Sequence, residues 1–153
     1  MDTSGHEHVL VVCSGSRVCA VPLAIVEEIM RPLPTDPLPG VPPFLRGLAL
    51  IRGTPVPVLD LGILLGATDE PPTRRFVVLR LNDRRVAIAV ETVPGLRALD
   101  CSLLNLSRIL DEINPALVAG VSVNDHGLLF VLEAARIVPD GLWQQLERQA
   151  VAS

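Results

Sequence analysis

Apolar residues in this chain come in short runs, each closed by glycine, proline or charged residues. Runs of that kind read as strands joined by tight turns. Residues 8–14 and 17–22 form the first two, joined at Gly15-Ser16. The period then changes. Leu23, Val26, Ile29 and Met30 share one helical face with Glu27 and Glu28 beside it, which predicts a helix over 23–30. Residues 31–43 hold six prolines and read as an extended connector, neither helix nor central strand. Its Pro-x-x-Pro spacing also matches ligands of proline-reading modules, but a rigid loop is the default reading.

Residues 47–61 are the stretch around which the rest is organised. Two apolar runs flank Arg52-Gly53, which predicts a hairpin with Gly53 at positive φ and Arg52 at its tip. Pro55 and Pro57 lie two apart, so both missing N–H groups fall on one flank of the second strand. That flank cannot donate to a neighbour, which predicts a sheet border or a bulged end. Asp60 is placed to cap a turn around residues 63–65.

After a polar linker at 67–73 the pattern starts again. Val9-Leu10-Val11-Val12 is matched by Phe76-Val77-Val78-Leu79 at an offset of 67 residues, and Gly15-Ser16 falls on Asn82-Asp83. Residues 47–59 are matched by 120–132 at an offset of 73, and Asp60 falls on Glu133. The extra residues fall in the connector around 99–114, where loops absorb insertions. Two copies of one unit of strands, connector, glycine-led hairpin and short helix are therefore present. A unit of that size is marginal alone, so the two are expected to share a core as small closed barrels. The expected spans are 8–66 and 74–138, within one domain covering 1–153. Residues 139–152 read as a C-terminal helix capped by Asp140, with Leu142, Trp143, Leu146 and Ala150 facing inward and Trp143 as its anchor.

Composition narrows the function. Hydrophobic residues make up 49% of the 153 but aromatics only 3%, with no tyrosine, so the core is expected to consist of Val, Leu, Ile and Ala. Thirteen basic against seventeen acidic residues leave a net charge of −4, which argues against nucleic acid or an anionic membrane as partner. The shortage of stacking aromatics argues the same way. Three cysteines without Cys-x-x-Cys spacing fit a reducing compartment; Cys13, Cys19 and Cys101 read as small hydrophobes. Residues 1–8 lack the basic start and apolar stretch of a secretory signal, and the longest apolar run, 18–26, is too short to span a bilayer. A cytoplasmic location is expected.

Gly47, Arg52, Gly53, Pro57, Asp60 and Leu61 match the pattern Gly-x-x-Asn-Leu-Arg-Gly-x-x-x-Pro-x-x-Asp-Leu, with Leu50 standing at its Asn. With Leu33-Pro34 and Leu38-Pro39 before it, an apolar strand ending at Glu91, and the glycine-led pair from Gly120 to Glu133, the chain resembles the CheW family of chemotaxis adaptors over about residues 8–138. The resemblance departs at Leu50, at Gly62 where a basic residue often follows Asp-Leu, and at Glu91 and Glu133, which replace aspartates. It implies an all-β fold of two five-stranded SH3-like barrels. It also implies a protein without chemistry or cofactor of its own, bridging the cytoplasmic tip of chemoreceptors to the regulatory domain of the histidine kinase CheA. The alternative is an auxiliary regulator of such a kinase in a non-chemotactic phosphorelay.

The candidate protein-binding residues are Leu23, Val26, Glu28, Arg52, Gly53, Ile88, Ala89 and Val90. Arg52 offers a planar fork to a partner carboxylate, or else belongs to an internal ion pair. The resemblance places Leu23, Val26 and Glu28 along a receptor-facing groove, although Leu23 and Val26 suit a core equally. Glu28 is expected to stay in water. Val86, Ile88 and Val90 alternate with Ala87 and Ala89, so that strand is covered on both faces, by core on one and by the sister barrel or a partner on the other. The hypothesis is that it forms the second wall of the groove. Asp60 and Glu133 read as structural caps; without a nucleophile or metal cluster they define no reaction. His6 and His8 read as part of a polar N-terminal tail.

Overall fold

The computed structural model describes residues 6–67, 72–81, 83–100, 118–124, 127–132 and 143–144. Ten strands run in chain order: β1 (His6–Ser14), β2 (Arg17–Pro22), β3 (Val26–Met30), β4 (Leu45–Ile51), β5 (Thr54–Asp60), β6 (Arg75–Leu81), β7 (Arg84–Val90), β8 (Thr92–Asp100), β9 (Val118–Asn124) and β10 (Gly127–Leu132). Among the described residues a 3-10 turn, Leu23–Ile25, precedes β3, and a short helix, α1 (Leu61–Leu64), follows β5. The all-β expectation holds, with two five-stranded sheets. Most of the C-terminal helix expected at 139–152 lies outside the described residues, although Trp143 and Gln144 are helical. Glu133 and Cys101 lie outside them as well.

The helix expected over 23–30 is not formed. Leu23 to Ile25 make one 3-10 turn and Val26–Met30 is a strand in which half-buried and exposed residues alternate. β3 pairs with β6 instead, with a bulge between Val26 and Glu28. Val26 packs against one apolar cluster and Met30 against another while Ile29 is exposed, so the three share no common face.

Both halves carry the same hairpins. Ser14 pairs with Arg17 and Leu81 with Arg84, at the offset of 67; Ile51 pairs with Thr54 and Asn124 with Gly127, at the offset of 73. The halves do not build a sheet each. One sheet has the order β8-β1-β2-β10-β9 and the other β3-β6-β7-β5-β4. Each sheet thus takes its first hairpin from one half and its remaining three strands from the other. The spans 8–66 and 74–138 are corrected accordingly, since neither corresponds to one sheet. The outer edges of each first hairpin carry backbone groups that strands of the opposite half satisfy.

Among the described residues, three apolar clusters follow from the two-residue alternation. Leu10, Val12, Cys19 and Val21 of one sheet meet Leu59, Val77, Leu79, Val86, Ile88 and Val90 of the other, with Leu61, Leu64 and Leu65 of the α1 segment and Trp143. On its other face the second sheet encloses Ala49, Ile51, Val56, Val58, Phe76, Val78, Ala87 and Ala89. The first sheet has a smaller inner cluster of Val9, Val11 and Ala20. Trp143 lies in the cluster between the sheets, as an anchor should, with Arg84 4.9 Å above its ring.

Candidate functional site

The β4–β5 hairpin forms as its sequence predicts. Ile51 faces Thr54 across a two-residue turn, with Arg52 at φ 51° and Gly53 at φ 80°. Positive φ at both central positions is the turn whose twist matches that of paired strands. Arg52 is the one non-glycine residue at positive φ among the described residues, a conformation that costs roughly 1–2 kcal/mol.

That strained position aims the guanidinium across the sheet. Arg52 Nε donates to Glu28 Oε2 at 2.8 Å and Nη2 donates to Oε1 at 3.0 Å, a two-point fork. Glu28 lies on β3, one edge of the sheet, and Arg52 on the turn at the opposite edge. In a flat sheet, more than three strand spacings would separate them by roughly 17 Å, beyond the reach of the two side chains. The ion pair therefore spans the seam of a sheet curled into a barrel. Arg52 remains 71% exposed and Glu28 25%. Arg52 thus belongs to an internal ion pair, the second of its two expected roles, while its side chain stands in solvent. Glu28 is half-buried rather than freely hydrated, and the fork from Arg52 holds its carboxyl below the usual carboxylate range. The same contact raises the Arg52 pKa.

The other expected site residues divide. Leu23 and Val26 are half-buried beside the seam strand, and Val26 packs against the cluster between the sheets. Gly53 is exposed in the turn, where an added Cβ would meet nothing within 4 Å. Ile88, Ala89 and Val90 are buried, with no more than 1% exposure, and cannot contact a partner directly. Their strand, β7, lies in the middle of its sheet, with Ile88 and Val90 facing the sister sheet and Ala89 facing the barrel interior. The alanine makes room inside the protein, because Ala89 stands opposite Phe76.

Pro55 and Pro57 occupy an inner strand, not a sheet border, which corrects the first alternative drawn from them. The register keeps the expected chemistry. Pairing of β5 with β7 begins only at Val58, past both prolines. A cavity of about 410 Å³ opens beside that stretch, lined among others by Pro55, Pro57, Arg84 and Trp143.

Asp60 caps α1 as expected, accepting from Ile63 N at 3.1 Å. The sequence reading missed its second partner. Arg46 Nη2 and Nε donate to Oδ2 at 2.6 and 3.0 Å. Arg46 is the extra residue where β4 slips between Leu45 and Gly47, so the bulge turns its side chain toward the end of β5. With both oxygens engaged, Asp60 is a structural carboxylate. Also missed were the exposed apolar side chains next to the ion pair in sequence, Ile29 at 44% and Leu50 at 66%. A two-residue reading of 26–30 would have exposed Ile29.

Comparison with known proteins bears on this arrangement. Residues 8–141 match the family model described as CheW-like domain. The chain belongs to the CheW-like domain family. A chemotaxis protein CheW of Rhizobium meliloti (strain 1021) is 23% identical over 140 residues, covering 90% of each protein. A chemotaxis protein CheW of Thermotoga maritima is 25% identical over 116 residues, covering 75% of this chain and 76% of that one. The fold is also similar to the crystal structure of the scaffolding protein TtCheW from Thermoanaerobacter tengcongensis, with a TM-score of 0.77 at 16% identity, covering 90% of this chain and 95% of that one. The CheW-like fold is thus shared over about nine-tenths of the chain. Among the described residues no helix is long and apolar enough to cross a membrane.

Proposed function

We propose that this chain is a non-enzymatic adaptor of chemotaxis signalling, coupling the cytoplasmic tip of chemoreceptors to the regulatory domain of the histidine kinase CheA. The observation that carries this reading is the match to the CheW-like domain over residues 8–141, with relatives named as chemotaxis proteins along nearly their whole length. The seam between β3 and the β4–β5 turn supports it. Ile29 and Leu50 offer apolar surface, and the adjacent Arg52–Glu28 pair offers a charged rim, the composition of a modest protein interface. Leu23 and Val26 extend the apolar surface, and the location follows as cytoplasmic, beside receptor arrays. Many weak contacts repeated in an array supply avidity.

The test is a pull-down of the purified chain with a receptor-tip fragment and the kinase regulatory domain, separately and together. Binding to both is expected. Binding to neither overturns the reading, and binding to the kinase alone supports the phosphorelay regulator instead. Arg52→Asn keeps a side chain that tolerates positive φ and deletes the fork. It is expected to weaken capture of at least one partner while the Tm stays nearly unchanged.

A further inference from the structure

The strand order has a property that the adaptor reading does not use. All four hairpin pairings, β1–β2, β4–β5, β6–β7 and β9–β10, lie within one half of the chain. The other strand pairings among the described residues, β8–β1, β2–β10, β3–β6 and β7–β5, join one half to the other. The exchange is symmetric to the residue. Met30 faces Phe76 as Arg97 faces Val9, and Val58 faces Ala87 as Val131 faces Ala20. A half by itself would be two lone hairpins and a loose strand, which is marginal in water. The cluster between the sheets is likewise assembled from both halves, with Leu10, Val12 and Leu59 from one and Val77, Ile88 and Val90 from the other.

Each half therefore completes its fold only on its complement, and nothing in the pairing requires that complement to lie on the same polypeptide. The two are connected through residues 67–74. We infer that a second copy of this chain is a competent partner for either half, giving a dimer by reciprocal exchange: 6–66 of each copy with 75–132 of the other, every strand pairing retained. Such a dimer would consist of two units of the present fold, tied together only by the two crossing linkers. This does not depend on which proteins the adaptor binds.

The experiment unfolds the full chain in denaturant and refolds it across a range of protein concentrations, reading mass by light scattering after size exclusion. A dimer fraction that rises with refolding concentration is expected, with the far-ultraviolet circular dichroism of the monomer and slow reversion on dilution. A version with a protease site inserted between Glu70 and Pro71 then identifies the kind of dimer. Cutting the linkers of an exchanged dimer releases two identical units of monomer mass, each made of one half from either copy. A dimer that keeps its mass after cutting is a surface contact and overturns the proposal. So does monomer alone at every concentration. The unmodified chain supplies the mass measurement should the inserted site impair folding.

Discussion

Single residues here carry opposed duties, and the Arg52–Glu28 fork illustrates them. Its geometry is that of a strong contact, but its solvent exposure makes it a weak stabiliser. Because the folded state depresses the Glu28 pKa, this contribution is present above the ordinary carboxylate range and is lost as pH falls through the lowered value. Titration of the Glu28 carboxyl by NMR is therefore expected to give a lower pKa in the native chain than in Arg52→Asn. Equal values would mean that the fork is not formed in solution. Asp60 is the contrasting case, with 1% exposure and both oxygens bonded. Asp60→Ala is expected to cost roughly 3 kcal/mol in denaturant unfolding, combining a broken, largely buried ion pair with a lost helix cap. Asp60→Asn retains the cap acceptor and should cost less.

At the level of elements, bulges and connectors decide where side chains point. Gly47 has φ 142°, and a Cβ there would lie 2.0 Å from the Asp36 carbonyl oxygen. That contact exists because the proline-rich connector bonds the outer edge of β4, Asp36 N donating to Leu48 O at 2.8 Å and Leu48 N donating to Asp36 O at 2.9 Å. Gly47→Ala is expected to lose more than about 2 kcal/mol, since backbone must move. Gly53→Ala, with open space around it, should lose about 1 kcal/mol from its positive φ alone. Comparable losses from the two would show that the connector is not held against β4. The connector's extended character was readable from its prolines; its bond to Leu48 was not, because no local pattern marks which strand edge a loop will cover.

Across the whole molecule, the cluster between the sheets makes the two halves one cooperative unit. Trp143 is the sole tryptophan and lies in that cluster, so its fluorescence reports directly on it. Thermal unfolding followed by Trp143 emission and by far-ultraviolet circular dichroism should give coincident transitions; two separated midpoints would mean that the sheets melt independently. Burial also pushes the Cys19 thiol upward, which leaves it protonated and inert. Thiol reagents are expected to spare Cys19 in the native chain and to label it once the chain is unfolded.

The sequence by itself determined the strands of the hairpins, the turn at Arg52-Gly53 with its register, the duplication, the Asp60 cap and the exposed place of Arg52. All of these depend on residues close along the chain, where turn chemistry and alternation act directly. Tertiary structure alone decided the rest. Whether β3 continued as helix, whether Ile88, Ala89 and Val90 faced a partner or a sister sheet, and which half each strand joined were settled by pairing across the duplication. Two nearly equivalent halves present the same apolar faces and the same free strand edges. Local pattern cannot tell a partner within a half from its counterpart in the other; only the packing of both together makes that choice.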